Sequence, residues 1–149
     1  MPPAPTNGNP MADIVDELAT FIAATLNMQL GVNVWVGELP ETGLGGVPSS
    51  AINSLYFIQM PGPAPDPYID TETYIIDVWS TGSDSVSAKS LLRSVYDILH
   101  RKGNYELNNW YIYFSEASST IRDESRGREG NKLFALTITL ISRNLNNIS

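Results

Sequence analysis

Arg122, Asp123, Glu124, Arg126, Arg128 and Glu129 fall within eight residues of one another, at the start of the stretch "IRDESRGREGNKLFALTITLIS" from 121 to 142. With Lys132 the segment holds four of the nine Lys and Arg side chains, interleaved with three carboxylates. Groups of these types could run acid–base chemistry, grip phosphate, or recognise another protein. Acid–base or nucleophilic catalysis needs a positioned base, and the single histidine, His100, lies elsewhere in "DILHRKG". At the end of a helical pattern an imidazolium suits the negative end of the helix dipole, so His100 reads as structural. No "GxSxG" nucleophile elbow accompanies it. No His, Cys and carboxylate cluster has metal-ligand spacing. The residues therefore point to no catalytic, cofactor or metal site.

The remaining candidates are weaker. "GLGG" at 43–46 lacks the Lys-Ser/Thr of a phosphate loop and joins no strand to a helix, so it reads as a turn. Asp66 and Asp70 flank Tyr68 without EF-hand spacing and read as solvated loop acids. Trp35, Trp79 and Trp110 each sit in a strand pattern with apolar neighbours, which reads as core or interface packing. A base-stacking platform would need more cationic neighbours than they have. For 121–130 two readings stand. One is a solvated hairpin tip, where a surface salt bridge is worth about 0–1 kcal/mol. The other is a contact: an alternating-sign patch matches a copy of itself or a partner of complementary charge, and gains specificity more than affinity.

The whole chain supports the second class of reading over nucleic-acid binding. Its formal net charge is −7 with a pI near 4.5, whereas non-specific grip on nucleic acid needs cationic surface. At 149 residues and 16.3 kDa it suits one domain with a sizeable core. It has no cysteine, which excludes a disulfide framework and fits a reducing compartment. "MPPAPTNGNP" has neither the basic nor the apolar region of a signal peptide, and no run of 18 apolar residues marks a membrane span.

The elements that must position these residues follow from periodicity. Residues 1–10 read as a flexible arm, 11–143 as a single α+β domain, and 144–149 as a tail. "NPMADIVDELATFIAATLN" has the Asn9-Pro10 start of a helix, with Ile14, Val15, Leu18, Phe21, Ile22 and Leu26 on one face. "VNVWV", "SLYFIQM" and "TETYIIDVWST" read as strands. Between them lie a turn-rich connection (37–53) and a proline-rich loop whose prolines remove strand hydrogen bonds. "GSDSVSAKSLLRSVYDILHRKGN" reads as a second helix. Ser83 or Ser85 would cap it, Val86, Leu91, Leu92, Val95, Ile98 and Leu99 would be buried, and Gly103 would stop it after Arg101 and Lys102. "NNWYIYFSEA" alternates Trp110, Ile112 and Phe114 against Tyr111 and Tyr113. "KLFALTITLIS" alternates Phe134, Leu136, Ile138 and Leu140 against Thr137 and Thr139. The order α-β-β-β-α-β-β predicts a mostly antiparallel five-stranded sheet with two helices packed on one face.

This order, with "VWVGELPE" (34–41), "LYFIQM", "TYIIDVWSTGSDSVSAKSLLRSVYDIL" and the final charged stretch and strand, resembles the tail terminator proteins of long-tailed bacteriophages, often described as minor capsid or tail completion proteins. The likeness runs from about residue 12 to 143. In that family a polar segment with an Asp and a Gly-Arg pair precedes the last strand; Asp123 and Gly127-Arg128 match it here. The leader 1–10 and the long loops at 37–53 and 60–71 depart from the pattern. The resemblance implies a non-enzymatic structural protein, a homohexameric ring that caps the tail tube and ends its polymerisation. The ring would offer a docking face to the head-completion protein, and DNA would pass through its lumen without sequence-specific binding. It also implies a place in the virion, at the head-proximal end of the tail, after assembly in the bacterial host cytoplasm and without a membrane partner. Within it, Arg122, Asp123, Glu124, Arg126, Arg128 and Glu129 are the expected protein interface, and carboxylates are expected to line the lumen. The alternatives are another neck or tail-tube protein, a small host binding module, or an enzyme of unrecognised type.

Overall fold

The computed structural model describes residues 13–37, 53–63, 71–82, 84–124 and 132–145. The first helix, α1 (Ile14–Leu26), starts later than Asn9 and Pro10 suggest; those two lie outside the described residues. Asp13 is the N-cap, extended at φ −71° and ψ 155°, and its carbonyl accepts the first helical bonds from the Asp16 and Glu17 N–H groups. Ile14 is also the first residue of the buried face, so packing rather than propensity sets the start. The helix ends without glycine: Asn27 takes the left-handed conformation, and the Met28 N–H reaches back to the Ala23 carbonyl at 2.8 Å.

Four strands carry the expected β-patterns: β1 (Val34–Val36), β2 (Ser54–Met60), β3 (Glu72–Gly82) and, after the second helix, β5 (Trp110–Ala117). The last strand, β7 (Lys132–Asn144), is the longest. Two further strands make the sheet seven-stranded among the described residues, against the five expected. These are β4 (Lys102–Glu106) and β6 (Arg122–Asp123). The order across the sheet is β1-β2-β3-β7-β5-β4, with β6 pairing β7 beyond that path. Every pairing is antiparallel except one: β1 runs parallel to β2. Parallel neighbours need a long crossover, and this accounts for the length of the 37–53 connection that joins them.

The second helix, α2 (Ser85–Leu99), is capped by Asp84; Ser85 is already its first residue, and Ser83 lies outside the described residues. The Asp84 carboxylate accepts from the Ser87 N–H at 2.8 Å. Its buried stripe is Ala88, Leu92, Val95 and Leu99, with Leu91 and Ile98 half-buried. Val86, expected inside, is 74% exposed, because two residues before Ala88 lies roughly 200° round the helix. Nor does the helix run to Gly103. His100 is an extended C-cap, Arg101 turns the chain at φ +58°, and Lys102 and Gly103 already belong to β4.

Both helices bury their faces in one apolar cluster with Leu55, Phe57, Ile76, Val78, Ile112, Leu136, Ile138 and Leu140 of the sheet. They thus share a side of the sheet, as expected for a two-layer α+β fold. One alternation fails. Ile112 pairs Ser142, but Phe114 pairs Ile141, so Tyr113 is an extra, bulged residue. Phe114 therefore leaves the helix side and Ser115 replaces it, donating to the Leu99 carbonyl at 2.7 Å and accepting from the Tyr105 hydroxyl at 2.8 Å. No described helix is long and apolar enough to cross a membrane.

Candidate assembly interface

The charged stretch begins as a strand. Arg122 and Asp123 of β6 pair with Ala135 and Phe134 of β7, and the Glu124 N–H continues the ladder to the Leu133 carbonyl at 2.8 Å. On β7, Ala135 alternates with Leu136 of the core, so its partner Arg122 lies on the sheet face away from the helices. There each of its three guanidinium nitrogens has a partner. Nε donates to Glu124 Oε2 at 3.2 Å, and Nη1 donates to Ser119 Oγ at 3.1 Å and Thr137 Oγ1 at 2.9 Å. Nη2 lies 3.5 Å from Asp77 Oδ2. Thr137 in turn donates to Asp77 Oδ1 at 2.7 Å. The Asp77 side chain is 11% exposed and that of Arg122 32%, so this is a half-buried charge network rather than a loose surface pair. A planar five-donor fork suits such a site and a lysine would not.

Arg122 and Glu124 thus meet directly inside one chain, and Arg122 also holds Asp77, Ser119 and Thr137, of which the sequence had marked only Thr137, as a residue of the polar strand face. Register could have found Asp77: an acid and a threonine directly opposite on neighbouring strands are a cross-strand pair. Asp123, which pairs with Phe134, is exposed on the opposite side of the strand. Arg126, Arg128 and Glu129 lie outside the described residues.

A second polar anchor stands at the other end of the molecule. Glu17 of α1 is only 8% exposed, and its two carboxylate oxygens accept from the backbone N–H and the side-chain amide of Asn109 in the β4–β5 turn. Asn109 also accepts from the Leu145 N–H at 2.9 Å, so this end ties α1, the turn and the end of β7 together. Buried charge is tolerable only with such partners.

Comparison with known proteins bears on this fold. No family model matches the chain, and no curated protein matches it.

A virion chain has this fold.

It belongs to the structure of the virion of a native gene transfer agent particle, with 14% sequence identity and a TM-score of 0.50. The alignment covers 89% of this chain and 100% of that one. At that identity the likeness is one of fold.

The other residues marked in the sequence take packing positions. His100 stacks on Tyr96 at 4.4 Å between ring centroids, and its Nδ1 accepts from the Ala117 N–H at 3.1 Å. Trp110 meets Tyr74 edge-on at 5.3 Å within the core. Trp35 and Trp79 lie on the sheet face away from the helices, flanking the fully buried Tyr56 across three strands. Burial pushes the Tyr105 hydroxyl up to about 12, even though its bond to Ser115 works the other way. Burial, and then the Glu72 carboxylate that it bonds, raise the Tyr74 hydroxyl as well. Both phenols stay protonated donors at neutral pH. "GLGG" (43–46), Asp66 and Asp70 lie outside the described residues.

Proposed function

We propose that the chain is a non-enzymatic structural part of a virus-like particle, and in finer terms a tail terminator. The observation that carries this reading is the fold likeness to a virion chain that is covered over its whole length. The order of motifs along the sequence supplies the finer assignment. In this reading copies of the chain close into a homohexameric ring on the end of the tail tube. The ring stops tube growth and presents a new face to the head-completion protein, and DNA crosses its lumen. Carboxylates at the lumen, favoured by a net charge of −7, would repel the phosphates and let the duplex slide.

Ring closure requires head-to-tail contacts. The internal partners of Arg122 make it a brace for the base of the 125–131 connection. Contact with a neighbouring protein then falls to Arg126, Arg128 and Glu129, with Asp123 at the border. The test is deletion of the gene followed by electron microscopy of the particles. Tubes of abnormal, unregulated length are expected. Absence of tubes would point to a tube protein instead, and normal tails would overturn the assignment.

A further inference from the structure

A concave groove opens between α1 and the β4–β5 turn, beside the Glu17–Asn109 anchor. It is a cavity of about 450 Å³ lined by Asp16, Thr20, Phe21, Glu106, Leu107 and Asn108. Its apolar surface comes from Phe21 and Leu107. Phe21 is held by stacking on Tyr105, 5.8 Å between centroids. Among the described residues its charges are all negative: Asp16 and Glu106 line it with Glu17, and no described Lys, Arg or His does. An apolar, aromatic-bearing cleft with acids at its walls matches a guanidinium, which stacks on ring faces and bonds carboxylates with its planar fork.

The chain carries such groups at its opposite end. Arg126 and Arg128 belong to the connection between β6 and the start of β7 at Lys132, whereas the groove adjoins Asn144 and Leu145, where Trp110 pairs with Asn144. The length of β7 separates the two ends, roughly 40 Å at the rise of an antiparallel strand. A connection tethered at Glu124 and Lys132 can loop out by roughly 12 Å at most. It cannot reach its own groove. It can reach the groove of another copy, and a contact between different surfaces of two copies is heterologous, the kind that closes rings.

We propose that the groove of one copy receives the Arg126–Arg128 segment of the next. This deepens the ring reading and rests on it for its setting, but it can be tested on the purified chain. Since the protein has no cysteine, introduced thiols are unique. Asn108→Cys places one at the groove and Ser125→Cys one at the arginine segment, both leaving every charge in place. Treated with a short bismaleimide, a mixture of the two single variants should give a linked dimer that neither gives alone. The double variant should give a ladder that stops at a closed ring. Adding Arg128→Glu should abolish the ladder, and adding Glu106→Arg to that should restore it. A mixture that stays monomeric overturns the inference. So do dimers that form as readily within each single variant, or a ladder insensitive to Arg128→Glu. Micrographs of tails from the gene deletion judge the terminator reading separately, so either can fail alone.

Discussion

Buried carboxylates in this protein are defined by their partners, and Glu17 is the clearest case. Among the described residues, its two oxygens are taken up by Asn109 alone. Asn109→Ala removes the amide and leaves one oxygen with no described donor, which should cost about 1–3 kcal/mol in chemical denaturation. Asn109→Asp should cost more at neutral pH, because it sets two carboxylates against each other, and should recover as acid protonates one of them. If the Asp variant tracked the Ala variant at every pH, the two groups would not be facing each other in solution. Glu17 was not legible as a partner in the sequence, and Asp77 becomes so only once the strand register is known. Both look like ordinary surface acids by type, and only their places on a helix face and in a strand register bring them inside. The tryptophans were legible, because their apolar neighbours in sequence already assigned them to packing; His100 was legible as structural but for another reason, since it stacks on Tyr96 and accepts from the Ala117 N–H rather than serving the helix dipole as a cation.

At the scale of elements, the two helix starts and the approach of β3 to α2 set the geometry. The carboxyl of Asp84 is held below the usual carboxylate range, first by the backbone bond from Ser87. A depressed folded value means stability that is present above the unfolded value of 3.8 and lost as pH falls through the folded one. Asp84→Asn keeps the cap without the charge. Thermal melts of the two proteins should run parallel above that pH, and only the wild type should lose this increment below it. Gly82, at the end of β3, is needed for a different reason. A Cβ there would stand 2.7 Å from the Ala88 nitrogen and 3.1 Å from its Cα. The neighbouring Ser80 hydroxyl also bonds the Ala88 carbonyl at 2.8 Å, so α2 is tied where the glycine lets it approach. Gly82→Ala should destabilise by about 1–3 kcal/mol in urea titration, through displacement of α2; an unchanged midpoint would show that the helix does not need this close approach. The long amphipathic elements were all legible from their periods. β4 was not, because "KGNYE" has no alternation and follows directly on the helix. β6 was not, because two residues of charged sequence pair only by virtue of β7. The bulge at Tyr113 was hidden too, since an unbroken alternation gives no sign of an extra residue.

For the whole molecule, the sequence revealed one sheet, two helices and a charged segment, but not that this segment and the acid groove stand at opposite ends. That separation depends on the strand order, with β7 between β3 and β5, which no local pattern encodes. It also has a mechanical consequence. β7 links the two ends directly and is bonded along its length on both sides, to Glu72–Gly82 of β3 and to β5. In antiparallel pairs those bonds stand across the strand axis. A pull between the two ends therefore loads the rungs together in shear, instead of peeling them one after another. In a chain of copies joined end to end, the rigid member is the subunit and the yielding member is the joint.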